Sequence, residues 1–225
     1  ITAGTAKDVS AQPLGNGIKF NSFGQTWDIS STGQAAGYNV YGVKTTGTTY
    51  TANVTVTGTV TMNIFAVGGG GAGGYGNCGG GGGAGGVVST TVTLPTGTNT
   101  ISVVVGAGAT LCTSNGANTT LTMPGLTTVY AWGGGAGGYE AQTSGTTGGS
   151  GGGGMNNGTI TYAGSTGLTT NSNLAHNGAP GNATSWQGGG GGGAGTTPTG
   201  MNGGAGVQCT LAGIKDYTPS GTAYG

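Results

Sequence analysis

Two patterns alternate along this chain. The first is the two-residue alternation of β-strands. Residues 49–67 are rich in Thr and Val, and the spacing of Val54/Val56 and of Val60/Met62/Ile64 predicts two strands broken at Thr57-Gly58. Val87–Leu94 reads as a strand ended by Pro95-Thr96-Gly97, and residues 99–105 read as its return. Those two segments are therefore expected to form a hairpin with β-branched residues on both arms. Residues 117–123 and 126–132 form a second pair around Pro124-Gly125. Nearer the start, apolar residues alternate on each side of Phe23-Gly24, which predicts a small hairpin over residues 17–29. A further short strand is expected over 37–44, and a strand-like pattern returns over 207–217. No window places apolar residues at i, i+3, i+4 and i+7 among helix formers, so essentially no α-helix is expected.

The second pattern is glycine. Residues 67–86 read VGGGGAGGYGNCGGGGGAGG, and 133–154 and 188–206 echo them. Glycine loses more backbone freedom on folding than any other residue, so helices and ordinary strands do not use it in runs. Such runs are either flexible linker or places where the missing Cβ lets backbones pack against backbones. Collagen is excluded by the lack of a Gly-X-Y period and of proline. The blocks begin where strands end, which a linker would not require. The expected fold is therefore all-β with a polyglycine-II helix bundle. A β-sheet or sandwich base carries packed extended glycine helices that hydrogen-bond sideways and so satisfy their backbone groups.

Charge divides the chain. It has 59 glycines and eight charged side chains, four of each sign. Residues 1–48 hold five of the eight, and between Lys44 and Lys215 the only acidic or basic residue is Glu140, accompanied by one histidine, His176. Residues 1–48 are read as a β stem or attachment segment and 49–225 as the glycine-rich domain. The absence of a basic patch argues against nucleic-acid binding. No apolar run approaches the ~18 residues of a membrane span. Cys78, Cys112 and Cys209 lack metal-site spacing, and they are expected to be free, partly buried thiols rather than a disulfide framework.

The chemistry of enzymes has little to work with. GxGxxG matches such as 69–74 arise by chance in glycine-saturated sequence, and no Gly-Lys-Ser/Thr follows to make a phosphate loop. General acid–base catalysis needs paired titratable groups, and no GxSxG elbow is present. No enzyme activity, cofactor or metal is expected. Sequons at Asn53, Asn118, Asn157 and Asn182 are accounted for by the Asn and Thr content.

The succession of segments carries a resemblance. It runs from the Thr-rich strand into Phe65-Ala66-Val67-Gly68-Gly69-Gly70-Gly71, and from residues 79–86 into Val87-Val88-Ser89-Thr90-Thr91-Val92. Then come Ile101-Ser102-Val103-Val104-Val105-Gly106-Ala107-Gly108, Asn118-Thr119-Thr120-Leu121 and Val129-Tyr130-Ala131-Trp132-Gly133-Gly134-Gly135. Over about residues 48–206 this resembles the glycine-rich domain of phage tail fibres, tail-tip adhesins and related bacterial surface proteins. Residues 17–27 are also similar to the tail-fibre repeat Ile-x-Phe-x-Asp-Gly-Thr, with Phe23-Gly24 where Asp-Gly is usual. The resemblance implies a β base topped by a polyglycine-II bundle, with loops between the glycine helices meeting a host receptor.

The expected function is thus a virion tail-fibre or tail-tip adhesin that binds a cell-surface glycan or outer-membrane protein, in a homo-oligomer or fibre. The alternative is a secreted subunit that self-assembles into an extracellular filament or sheath by pairing strand edges. Neutral aromatic side chains suit such recognition, so the receptor-binding candidates are Tyr139, Glu140, Tyr162, His176 and Trp186. The irregular insertion 155–187 is expected to be the recognition loop, removable in part (171–185) without loss of the fold.

Overall fold

The computed structural model describes residues 18–23, 43, 47, 49–140, 144–170 and 173–208. The expected strands over 37–44 and 207–217, the second arm of the 17–29 hairpin and Cys209 lie outside the described residues, apart from Val43, Val207 and Gln208.

Among the described residues seven strands form two antiparallel sheets, and there is no α-helix. The strands are β1 (Ile18–Phe23), β2 (Thr49–Val56), β3 (Val60–Val67), β4 (Val87–Leu94), β5 (Gly97–Val104), β6 (Thr119–Thr122) and β7 (Val129–Ala131). One sheet has the order β1-β2-β5-β6-β7, and the other is β3-β4. Ile18–Phe23, from the segment read as a stem, is thus the outer strand of the larger sheet.

The alternation reads directly into burial. In β2, Tyr50, Ala52, Val54 and Val56 point inward and all are nearly or fully buried. They meet Val60 of β3, Leu94 of β4 and Ile101 and Val103 of β5 in one apolar core. A second cluster joins Ile64 and Ala66 of β3 and Val88 of β4 to Val129 and Ala131 of β7. The two sheets therefore face each other across side chains from both, as in a sandwich.

One expectation is corrected. β4 and β5 do not form a hairpin with each other. β5 pairs with β2 along its whole length, Val56 opposite Gly97, while β4 pairs with β3, Val60 opposite Leu94. The turn at Pro95-Thr96 carries the chain from one sheet to the other, as Thr57-Gly58-Thr59 does between β2 and β3. Gly58 and Gly97 have φ of 86° and 106°, the left-handed region that lets these corners turn sharply. The β6–β7 pair around Pro124-Gly125 forms as expected, with Leu121 opposite Val129.

The β3–β4 hairpin does not end with its strands. Beyond Val67 and Val87 the two arms continue as glycine segments, with Gly68, Gly71 and Gly74 donating to the carbonyls of Gly86, Gly83 and Gly80. The hydrogen-bonding step has changed from two residues to three. The same step recurs across the block. Gly80, Gly83 and Gly86 donate to Gly138, Gly135 and Trp132, and Gly81 and Ala84 donate to Gly189 and Gly192. Ser150 and Gly153 donate in turn to Ala84 and Gly81. Segment 80–86 is thereby bonded to four neighbouring segments, and its glycines leave no room for side chains. A Cβ on Gly80 would fall on the Gly153 carbonyl oxygen, one on Gly83 on that of Ser150, and one on Gly85 on that of Gly68. This layered array stands on the sandwich at the ends of β3, β4 and β7.

The insertion 155–187 is not a free loop, which corrects a second expectation. Gly151 and Gly154 donate to the carbonyls of His176 and Ala179, Ala179 donates to Gly190, and Ser165 donates to Gly152. Segment 176–179 is one layer of the array, so deleting 171–185 would remove part of the scaffold.

Candidate functional site

The hydrogen-bond register fixes two ends of the array. At the sandwich end lie Gly68, Gly86 and Trp132, joined in sequence by backbone bonds of 3.0 and 2.8 Å. At the far end Gly74 bonds Gly80, Gly80 bonds Gly138, and Gly138 bonds Gly153, each at 2.8 Å, with Gly189 bonded to the adjoining Gly81. Just beyond that layer lie residues 75–79, 139–140, 144–145, 155–162 and 182–188, where the chain reverses.

These connections hold one another. The 75–79 turn is the hub. Tyr75 stacks on Tyr139, with ring centroids 5.0 Å apart and planes at 28°. The Glu140 side chain lies against Gly76. Cys78, at φ 62°, accepts from the Asn156 N–H at 3.2 Å through its carbonyl and donates its thiol to the Trp186 carbonyl at 2.7 Å. Trp186 has φ 54° and folds its indole over Gly158, where any Cβ would strike the ring.

Asparagines set the turns. Asn157 Oδ1 accepts from the N–H groups of Thr159 and Ile160 at 3.1 and 2.8 Å, and Asn156 Oδ1 accepts from Gly158 N–H. Asn182 Oδ1 accepts from Thr184 N–H at 3.0 Å, while its backbone exchanges bonds with Gln187. These side-chain turns fix loops that have no apolar core of their own.

Four of the five candidates therefore share one end of the molecule. Tyr139 is half-buried in its stack, and Glu140 is exposed. Tyr162 is half-buried, its hydroxyl accepting from Asn157 Nδ2 at 3.3 Å. Trp186 is 63% exposed. His176 stands apart. It is half-buried in the flank, its carbonyl bonded to Gly151, one three-residue step toward the sandwich from Gly154.

Sequence reasoning missed companions of these residues. Among the described residues six large hydrophobic side chains are exposed: Tyr75, Leu111, Ile160, Leu174, Trp186 and Met201. Tyr75, Ile160 and Trp186 lie in the end connections. Met201 follows Gly200, whose carbonyl accepts from Gly190, beside the end layer. Leu111 lies in the turn reached from Ser114, which pairs with Ala72 as Ala117 pairs with Gly69, so the chain is climbing toward Tyr75. Only Leu174 lies at the sandwich end, bonded to Val87. A signal for Tyr75 was available. A bulky residue within a glycine block cannot sit inside the array and must mark a reversal.

Beside the Trp186 turn is an open depression lined by Thr161, Asn177, Pro180, Asn182, Thr184 and Pro198 among others, with no charged side chain. Cys78 and Cys112 are free thiols, Cys78 half-buried and Cys112 exposed rather than partly buried. No helix among the described residues is long and apolar enough to cross a membrane.

The family model described as a glycine-rich domain matches residues 43–222. The chain belongs to that glycine-rich domain family. No curated protein and no solved structure matches it. The match takes in the sandwich strands β2–β7 together with the array.

Proposed function

We propose that this glycine-rich domain chain is a fibre-tip adhesin, of the tail-fibre or tail-tip kind, that attaches a virion to a cell. The array acts as a polyglycine-II bundle, and its far end meets the receptor. The bundle reading is supported by the three-residue hydrogen-bond step, the period of an extended helix with three residues per turn. The observation that carries the functional reading is the concentration of exposed apolar side chains at one end. Of the six such residues among those described, five lie toward the end opposite the sandwich, and concentrations of exposed apolar side chains mark interaction sites.

The partner follows from their chemistry. Aromatic faces suit sugars and proteins alike, but Leu111, Ile160 and Met201 offer no hydrogen bonds to a glycan. They favour an apolar protein surface, such as an exposed outer-membrane loop. The loops are tied by asparagine turns and by the Cys78 and Tyr75 contacts before the partner arrives, which reduces the ordering cost of binding.

Cell adsorption tests this. Trp186→Ala and Tyr75→Ala each should weaken adsorption by about 2 kcal/mol or more, the scale of a buried aromatic anchor. His176→Ala should leave it unchanged. Adsorption should also depend little on salt, because among the described residues Glu140 is the one charge near that end. Protease treatment of the cells should abolish adsorption. Loss on periodate treatment instead would assign the end to a glycan, and normal adsorption of both aromatic variants would move the site elsewhere.

A further inference from the structure

One edge of β4, in the two-stranded sheet with β3, is open. Sheet edges are normally blunted by bulges, charge, proline or shortness, because an open row of backbone donors and acceptors invites another strand. The larger sheet obeys this at both edges. β1 contains Lys19 and bulges between Phe20 and Ser22, and β7 is three residues long. β4 has none of these devices. It is eight residues long, uncharged, without internal proline, and in unbroken register with β3 from Val87 to Leu94.

Its outward-facing groups can be identified. Val87 turns its N–H and C=O away from β3 and exchanges both with Leu174, at 3.2 and 2.7 Å. By the two-residue alternation of an antiparallel strand, Ser89, Thr91 and Thr93 face the same way. Among the described residues none of these three has a backbone partner on that side. The edge thus already pairs with an extended segment at its first position and is then left open. Leu174, the one large exposed hydrophobic at the sandwich end among the described residues, lies beside it at 47% exposure.

We infer that β4 pairs antiparallel with β4 of a second copy of this chain, giving a continuous sheet β3-β4-β4-β3. The edge suits its own copy. Two-fold pairing centred on Thr91 sets Thr91 opposite Thr91 and Ser89 opposite Thr93, pairs of the hydroxyl and β-branched kind that stabilise antiparallel sheets. A charged edge would repel its copy, and this one has no charge. Such a contact is isologous and closes on itself, so by itself it yields a dimer.

Two exposed positions on β4 separate this from other modes of association. In the two-fold pair, residue 89 of one copy faces residue 93 of the other. The double variant S89K/T93K therefore places like charges opposite one another, and S89K/T93E places opposite charges there. Sedimentation of the full chain over a concentration series should give twice the monomer mass for wild type and for S89K/T93E, and monomer mass for S89K/T93K. Hydrogen exchange of the wild-type chain should show the amides of Ser89, Thr91 and Thr93 becoming protected as concentration rises. A monomeric wild type, equal masses for the two variants, or concentration-independent exchange at those amides would overturn the inference.

Discussion

The sandwich and the array exclude water by opposite means. In the sandwich, side chains do it. Val54, Ala52 and Val56 are at most 2% exposed because the alternation of β2 sends them against Leu94, Ile101 and Met123. In the array, backbone meets backbone, and small residues such as Ala136 and Ser150 stand inside at 1% and 0% exposure. The sandwich gains from apolar area, whereas the array contributes hydrogen bonds that each add little net but are costly to leave unmade in a dry interior. Side-chain cores adapt to changes of volume by repacking. An array whose carbonyls occupy the Cβ positions has no such freedom. It can hold its ends rigidly and tolerate nothing larger than glycine at most interior sites.

The largest expected effect follows from that difference. Gly191→Val and Gly82→Val put branched side chains on the carbonyls of Gly82 and Gly71 respectively. Because those carbonyls belong to backbone, the segments must separate, and several bonds of about 1 kcal/mol net each are lost together with the packing. Each variant should lose the cooperative unfolding of the array, seen as loss of hydrogen-exchange protection at residues 80–86 and 189–192. Retained protection would mean that the segments yield as a linker does.

How much of this contrast could be read in the chain depended on which groups carry the information. The strands declared themselves through Val60/Met62/Ile64 and through Val87–Leu94, because alternation is a side-chain property. Their partners did not. A short Pro-Thr connection looks the same whether it closes a hairpin or crosses between sheets, and the choice was made by the eight-residue register of β2 with β5. The glycine blocks were visible as packing elements for a steric reason. Segment 176–179 was not visible. On an outer layer only part of each three-residue turn faces inward, so His176 and Asn177 can stand there without betraying that their backbone belongs to the array. The far end of the array was half legible. Trp186, Tyr162, Tyr139 and Glu140 stood out as distinctive side chains, whereas Leu111, Ile160 and Met201 gain meaning only when the register places them at one end.

A smaller effect is expected in the sandwich. Leu94 is 3% exposed and sits where β4 crosses to β5. Leu94→Ala should cost about 2–5 kcal/mol, the range for emptying a buried leucine site, measured by urea unfolding of the whole chain. Its partners are side chains, so the site can partly collapse, and the exchange protection of residues 80–86 should survive under conditions where the variant is folded. If that protection vanished alongside, the two parts would be one cooperative unit rather than two ways of packing side by side.

The smallest effect, and the sharpest, concerns two adjacent residues. A Cβ on Gly71 would collide with the Gly135 carbonyl, whereas at Gly70 nothing lies within 4 Å. Gly70 is exposed and its φ is outside the left-handed region, so alanine there meets neither neighbour nor strain. Replacing such a glycine narrows the unfolded ensemble and should stabilise by roughly 0.4–1 kcal/mol. Gly71→Ala should destabilise by more than that, although the change is the same methyl group one residue along the same segment. Paired urea titrations of Gly70→Ala and Gly71→Ala read the difference directly. Opposite signs would establish that the Cβ-free space between backbones, and not glycine's flexibility, holds the array together. Equal and small effects would place the glycines among flexible residues and remove the rigid base that the proposed adhesin requires.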